Sequence, residues 1–201
     1  LRYQKGIRRY KDKPQHRSVH WLRQTTPFTC GPAALMMAMH GLNGDYQPSR
    51  QEEIDLWREA TTIFMTSGHG GCHPIGLALA AKRRGFKVEV WVNQTGPLFI
   101  DSVRNDDKKQ IIELVDNAFK TQAAAHDVAI HYGNISQNDL TSAFAAGAIP
   151  LILISTFAMD RKKAPHWVVM SGFDQDCLYM HDSDPDDSRQ SELDCQFIPV
   201  A

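Results

Sequence analysis

The sequence predicts an α+β fold in which N-terminal helices pack on an antiparallel sheet. Helical spacing dominates the first half of the chain, strand-like runs dominate the second, and a polar turn near Gln175 closes two apolar runs into a hairpin. The 201 residues are 42% hydrophobic and 22% charged, the size and composition of one ordinary domain with room for a substantial core. No internal repeat interrupts it. We expect residues 1–19 to be a basic arm or linker and residues 20–201 to be the domain.

Thr25, Thr26 and Pro27 form a loop ahead of Cys30-Gly31-Pro32, and the run from Ala33 to His40 consists of good helix formers. Proline suits the first turn, where its missing N–H has no intrahelical partner, and Gly41 is expected to end the helix. A second helix is expected from Ser49 to about Phe64, with Gln51, Glu52 and Glu53 in its first turn, where acid complements the dipole. A glycine-rich turn from Ser67 to Pro74 leads into a small-residue helix, Ile75 to Arg84, which Gly85 stops before a strand from Lys87 to Val92. Ile111, Ile112, Leu114, Val115, Ala118 and Phe119 recur with helical period within Lys108 to Ala125, and Val128 to Tyr132 alternates like a strand. Ser136 to Ala146 reads as a short helix and Ile149 to Thr156 as a buried strand. His166 to Phe173 and Cys177 to Asp182 form the hairpin around Asp174-Gln175-Asp176.

Lysine plus arginine (22) nearly balances aspartate plus glutamate (23), so no global field draws the chain onto nucleic acid or an anionic membrane, and neither is an expected partner. The longest mainly apolar stretch, Ala143 to Met159, is broken by Gly147, Pro150, Ser155 and Thr156 and falls short of a membrane span. Cys30, Cys72, Cys177 and Cys195 are widely spaced and form neither a paired metal motif nor a disulfide framework, which favours a reducing, cytoplasmic setting. The chain opens on Leu1, and the basic stretch Arg2 to Arg17 lacks the apolar core of a signal peptide. It reads as a solvated arm, or as a linker in a piece of a longer protein.

Chemistry enters with Cys30. At a helix start, backbone N–H groups and the helix dipole stabilise a thiolate, the attacking form of cysteine; a small buried core thiol is the alternative reading. The hairpin supplies partners. Strands centred on Gln175 place Val168 opposite Asp182 and His166 opposite position 184. His166 and Asp182 then share a face as diagonal neighbours, roughly 7–8 Å apart at the backbone and within side-chain reach. A one-residue slip would put them on opposite faces. Taken singly, His166 also fits a structural histidine, and Asp182 within His181-Asp182-Ser183-Asp184-Pro185 also fits a turn former. Gln24, six residues before Cys30, is either an exposed glutamine or an amide that converges with the Cys30 N–H on a developing oxyanion.

Gln24…Cys30-Gly31-Pro32-Ala33-Ala34-Leu35 and His166-Trp167-Val168-Val169…Tyr179-Met180-His181-Asp182 resemble the two signature blocks of the double-glycine leader peptidases, the bacteriocin-processing branch of the papain-like cysteine peptidases. The spacings, six residues from Gln24 to Cys30 and sixteen from His166 to Asp182, are similar as well. The resemblance implies a papain-like cysteine peptidase fold with Cys30 as nucleophile, His166 as acid/base, Asp182 orienting the histidine and Gln24 in the oxyanion hole. It also implies a peptide or protein substrate and no cofactor. Leu56 to Cys72 and Lys163 to Val169 look closer still to the peptidase-like domain found behind an acetyltransferase domain in bacterial proteins, which implies such a domain upstream. Leader peptidases are usually fused to a membrane-spanning transporter; this sequence shows no such segment, so the substrate does not carry over.

His69, Cys72 and His73 crowd one turn but lack a fourth ligand at zinc spacing. The glycine loop reads either as a wall of the cleft, with Gly70, Gly71, Cys72 and also Trp167 as substrate-binding candidates, or as a tight connection into the next helix. No lysine-serine or lysine-threonine pair follows the glycines as in a phosphate loop, and the four aspartates between 182 and 187 lack calcium-loop spacing. No metal is expected. The expected function is a cysteine peptidase or amide hydrolase working through a Cys30 thioester. An acyltransferase or ligase using the same thioester with an amine acceptor, and a non-catalytic peptide-binding module, are the alternatives.

Overall fold

The computed structural model describes residues 15–62, 70–98, 100, 103–155, 165–185 and 189–201. Residues 1–14, Phe64, Ser67 to His69, Thr156, Asp186 and Asp187, which carry parts of the expectations above, lie outside the described residues. The fold is α+β as expected: among the described residues, five helices and a curled antiparallel sheet are joined by a small parallel sheet that the sequence did not announce.

Helix α1 (Cys30–Leu42) is buried from Cys30 through Met39. A helix that is apolar on every side belongs inside a core, and α1 packs on the main sheet accordingly. Gly41 lies within the helix rather than ending it; the chain turns extended at Asn43. Helix α2 (Arg50–Ala60) starts at Ser49, whose hydroxyl accepts the Glu52 N–H at 3.1 Å. It ends at Ala60, short of the expected Phe64, because Thr61 turns extended and bridges to Cys72. Helix α3 (Pro74–Arg83) follows, packed on α2. A Cβ at Gly76 would lie 2.8 Å from Ala60 Cα and 2.9 Å from Phe119 Cζ, so only glycine lets these helices approach this closely.

Strand β2 (Glu89–Val92), helix α4 (Asp106–Ala125) and strand β3 (Ala129–Tyr132) form a βαβ unit: β2 and β3 pair in parallel, with Glu89 opposite Ala129 and Val92 opposite Tyr132. Parallel neighbours need a long crossover, which the 20-residue α4 provides. Val90, Val92, Phe119, Ala123 and Val128 join α3 residues in a second core beneath this unit. Helix α5 (Gln137–Ala145) opens on a capping box between Ser136 and Asp139.

The main sheet contains β1 (Gln15–His16), β4 (Leu151–Ser155), β5 (Pro165–Phe173), β6 (Leu178–Asp182) and β7 (Ile198–Val200), all antiparallel. β5 is central: β4 pairs with its start, β1 with its end, and β6 along its other edge. Thus Gln15 and His16, within the stretch read as an arm, add a short strand to the sheet. In the hairpin, Val168 faces Asp182 as expected, but Gly172 faces Tyr179 and Phe173 faces Leu178, a register shifted by one. The turn is a residue longer than the sequence suggested, with the Asp174 N–H donating to Cys177 O at 3.0 Å. An irregularity between Met170 and Gly172 absorbs the extra residue and restores the phase that places His166 and Asp182 on one face. Among the described residues, no helix is long and apolar enough to cross a membrane.

Candidate active site

The nucleophile candidate begins α1. Cys30 is 9% exposed, at the N-terminus of the buried helix. A Cβ on Gly31 would come within 3.0 Å of Cys72 Cβ and 3.1 Å of Trp167 Cδ1. Glycine after the cysteine thus lets β5 and the 70–72 segment close on the helix start.

His166 sits in β5 beside Ile154 of β4, and its Nε2 lies 2.7 Å from Asp182 Oδ1. The carboxylate accepts that N–H and also the Asp184 backbone N–H at 2.9 Å, which fixes its own orientation. Asp182 engages Nε2, and Cys30 lies near enough to the ring for its charge to favour the imidazolium. Burial alone would push the imidazolium pKa down, but the hydrogen bonds and negative charge of Asp182 and Cys30 outweigh it and raise the value to about 10. The ring is therefore held in its charged form. An imidazolium so placed can deliver a proton to a leaving group.

Gln24 reaches the same region by a path absent from the sequence pattern. Trp21 Nε1 donates to the Asp182 carbonyl, and the Gln24 N–H donates to Ser183 O at 2.9 Å, so residues 21–24 run along the end of β6. The Ser183 hydroxyl donates to Gln24 Oε1 at 2.9 Å, and Gln24 Nε2 donates to Thr26 O at 3.0 Å. Both ends of the amide are thereby assigned, and Gln24 is only 7% exposed. Ser183 was not picked out in the sequence: its partner is 159 residues away, and a serine after a strand aspartate reads only as a turn residue.

Glu53 was likewise read only as an acid in the first turn of α2. In the fold it is 1% exposed, and its Oε1 accepts from the Thr25 N–H at 2.8 Å and from the Thr29 hydroxyl. It spans the loop between Gln24 and Cys30.

The glycine segment lies against this site. Gly70 is buried, its carbonyl accepting from Trp57 Nε1 at 2.8 Å and Thr61 Oγ1 at 3.3 Å, whereas Gly71 is exposed. Cys72 is buried, and its carbonyl accepts from Trp167 Nε1 at 3.1 Å. Burial raises the Cys72 thiol pKa, and negative charge on Cys30 adds to the effect. Trp167, 6% exposed, thus ties the segment to β5 from beneath.

His73, the N-cap of α3, accepts the Ile75 N–H on Nδ1 and places Nε2 3.2 Å from Asp116 Oδ1. Burial lowers its pKa despite the opposing pull of Asp116, which fits the neutral ring that accepting at Nδ1 requires. It anchors α3 to α4. Among the described residues, no group of three His, Cys, Asp or Glu side chains is arranged to hold a metal ion; His69 lies outside them. An open depression of about 630 Å³ lined by Asn93, Thr95, Tyr132 and others, at the C-terminal ends of β2 and β3, contains none of the residues around Cys30.

A buried cysteine at the start of a central helix packed on a sheet whose histidine is held by an aspartate from the next strand gives the arrangement of a papain-like fold. Consistent with it, a family model described as Peptidase C39-like matches residues 19–201, and the chain belongs to that family. Neither curated proteins nor solved structures gave a significant match.

Proposed function

We propose that the protein is a cysteine peptidase or amide hydrolase that cleaves a peptide-like substrate through a Cys30 thioester. The observation that carries this is the 2.7 Å pairing of Asp182 with His166, whose ring also interacts with Cys30 at the start of α1. Membership of a peptidase-like family supports it. The Cys30 thiolate attacks the carbonyl carbon, and the oxyanion forms where the Gln24 amide and the Cys30 N–H converge. The C–N bond breaks as His166 gives its proton to the leaving amine, and the acyl group stays on sulfur. Water then enters, His166 takes its proton, and the thioester breaks to release the acid and the Cys30 thiolate. Asp182 keeps Nε2 protonated and the ring aligned throughout.

An extended substrate chain fits beside Gly71, which is exposed and, among the described residues other than its chain neighbours, has no atom within 4 Å of the place a Cβ would take. The resemblance to the double-glycine leader peptidases, and within them to the domain behind bacterial acetyltransferases, favours a peptide substrate and an acetyltransferase partner upstream. Four free thiols suit a cytoplasmic setting. An amine acceptor in place of water would turn the same thioester into an acyl transfer.

Incubation with p-nitrophenyl acetate followed by peptide mapping tests the thioester directly. The expected result is a burst of p-nitrophenol with acetyl on Cys30, removable by hydroxylamine and absent in Cys30→Ala. A burst of equal size in Cys30→Ala would refute the reading.

A further inference from the structure

We propose that Glu53 is a positioning residue for the oxyanion site, setting the spacing between the Gln24 amide and the start of α1; this rests on the peptidase reading above. Two observations carry it. First, one oxygen of a fully buried carboxyl group accepts from the residue after Gln24 and from the residue before Cys30. The two donors to the oxyanion are therefore referenced to a common atom on α2, a helix packed against α1 and α3.

Second, Thr29 occupies the N-cap of α1, where a threonine hydroxyl ordinarily accepts a first-turn N–H. Here it caps nothing. It donates to Glu53 and shares a 2.9 Å contact with the Thr26 hydroxyl. Pro32, at the third helical position, has no N–H to be capped, so the Gly31 N–H at the second position, next to that of Cys30, is the one a capping hydroxyl would take. Glu53, together with the Thr26 hydroxyl and carbonyl at 2.9 and 3.2 Å, holds the Thr29 hydroxyl away from the helix start and leaves it open toward substrate. Glu53 itself touches no reacting atom; it acts through Thr25 and Thr29.

The two chemistries of Cys30 separate this role from general support of the fold. Acylation by p-nitrophenyl acetate passes through an oxyanion, whereas alkylation by iodoacetamide displaces iodide at a saturated carbon and forms none. Glu53→Ala is expected to slow Cys30 acylation about tenfold, part of the roughly 10²–10³ lost with a whole oxyanion donor, while alkylation stays within about twofold. Glu53→Gln keeps an accepting oxygen and is expected to restore most of the acylation rate. Thr29→Val removes the hydroxyl but not the buried carboxyl, and is expected to lower acylation with the same selectivity even if Glu53→Ala does not fold. Equal loss of both rates, or no loss of acylation in Thr29→Val, overturns the proposal. If the parent protein itself forms no acetyl-Cys30, the peptidase reading falls first and this inference with it.

Discussion

Asp182 and Ser183 are adjacent in sequence yet serve different members of the site. The Asp182 carboxylate accepts the His166 Nε2–H, and the Ser183 hydroxyl donates to Gln24 Oε1. Asp182→Asn keeps the size but removes the charge that holds the imidazolium, and acylation of Cys30 should fall by about 10²–10⁴-fold in single-turnover measurements. Ser183→Ala leaves a buried carbonyl oxygen without its donor and should destabilise the protein by about 1–3 kcal/mol in urea titration. It should also slow acylation more than alkylation, because the Gln24 amide is then held at its nitrogen alone, by Thr26 O. Cys30, His166, Asp182 and Gln24 were singled out by residue type, spacing and family resemblance, and of the contacts expected among them the His166–Asp182 pairing is found. Ser183 and Glu53 were not singled out, since their roles exist only through partners 159 and 24 residues distant.

The hairpin β5–β6 and the helix pair α2–α3 show how elements set the site. The sequence placed Val168 opposite Asp182, as found, but from a turn one residue too short; the compensating irregularity near Ser171 has no sequence signal, because serine suits strand and bulge alike. The βαβ unit was read element by element, while parallel pairing of β2 and β3 follows only from where α4 packs. Helix ends were the least legible: α2 stops where Thr61 meets Cys72, a contact across the glycine segment. At the α2–α3 crossing, Gly76→Val would drive side-chain atoms into Ala60 and Phe119 and is expected to cost about 1–3 kcal/mol or more, read as a lowered urea midpoint. Since α2 carries Glu53, the same variant should lower acylation of Cys30 in the fraction that remains folded.

Across the whole molecule, three histidines oppose one another in their pH dependence. His73 and His181 are buried with lowered pKa values, in each case chiefly through burial. Their preference for the neutral form stabilises the fold fully above the unfolded value of about 6.5 and is lost as pH falls below it. His166 is the reverse: its pKa, raised to about 10, contributes stability fully present below about 6.5 and lost as pH climbs through 10. Urea midpoints should therefore fall on both sides of neutrality. Replacing His181, whose ring links Val19 O to the Phe197 N–H, with Gln should flatten the acid limb and leave the alkaline limb in place. An acid limb of unchanged steepness would contradict the assignment.

The most direct test of the Cys30–His166–Asp182 centre is the rate of iodoacetamide alkylation at each of the four cysteines, followed by peptide mapping at near-neutral pH. Cys30 should react faster than Cys72 and Cys195, whose thiols are held in the neutral form by burial. The fast phase should vanish in Cys30→Ala. A fast phase that persists in Cys30→Ala, or a Cys30 no more reactive than buried Cys72, would contradict the account.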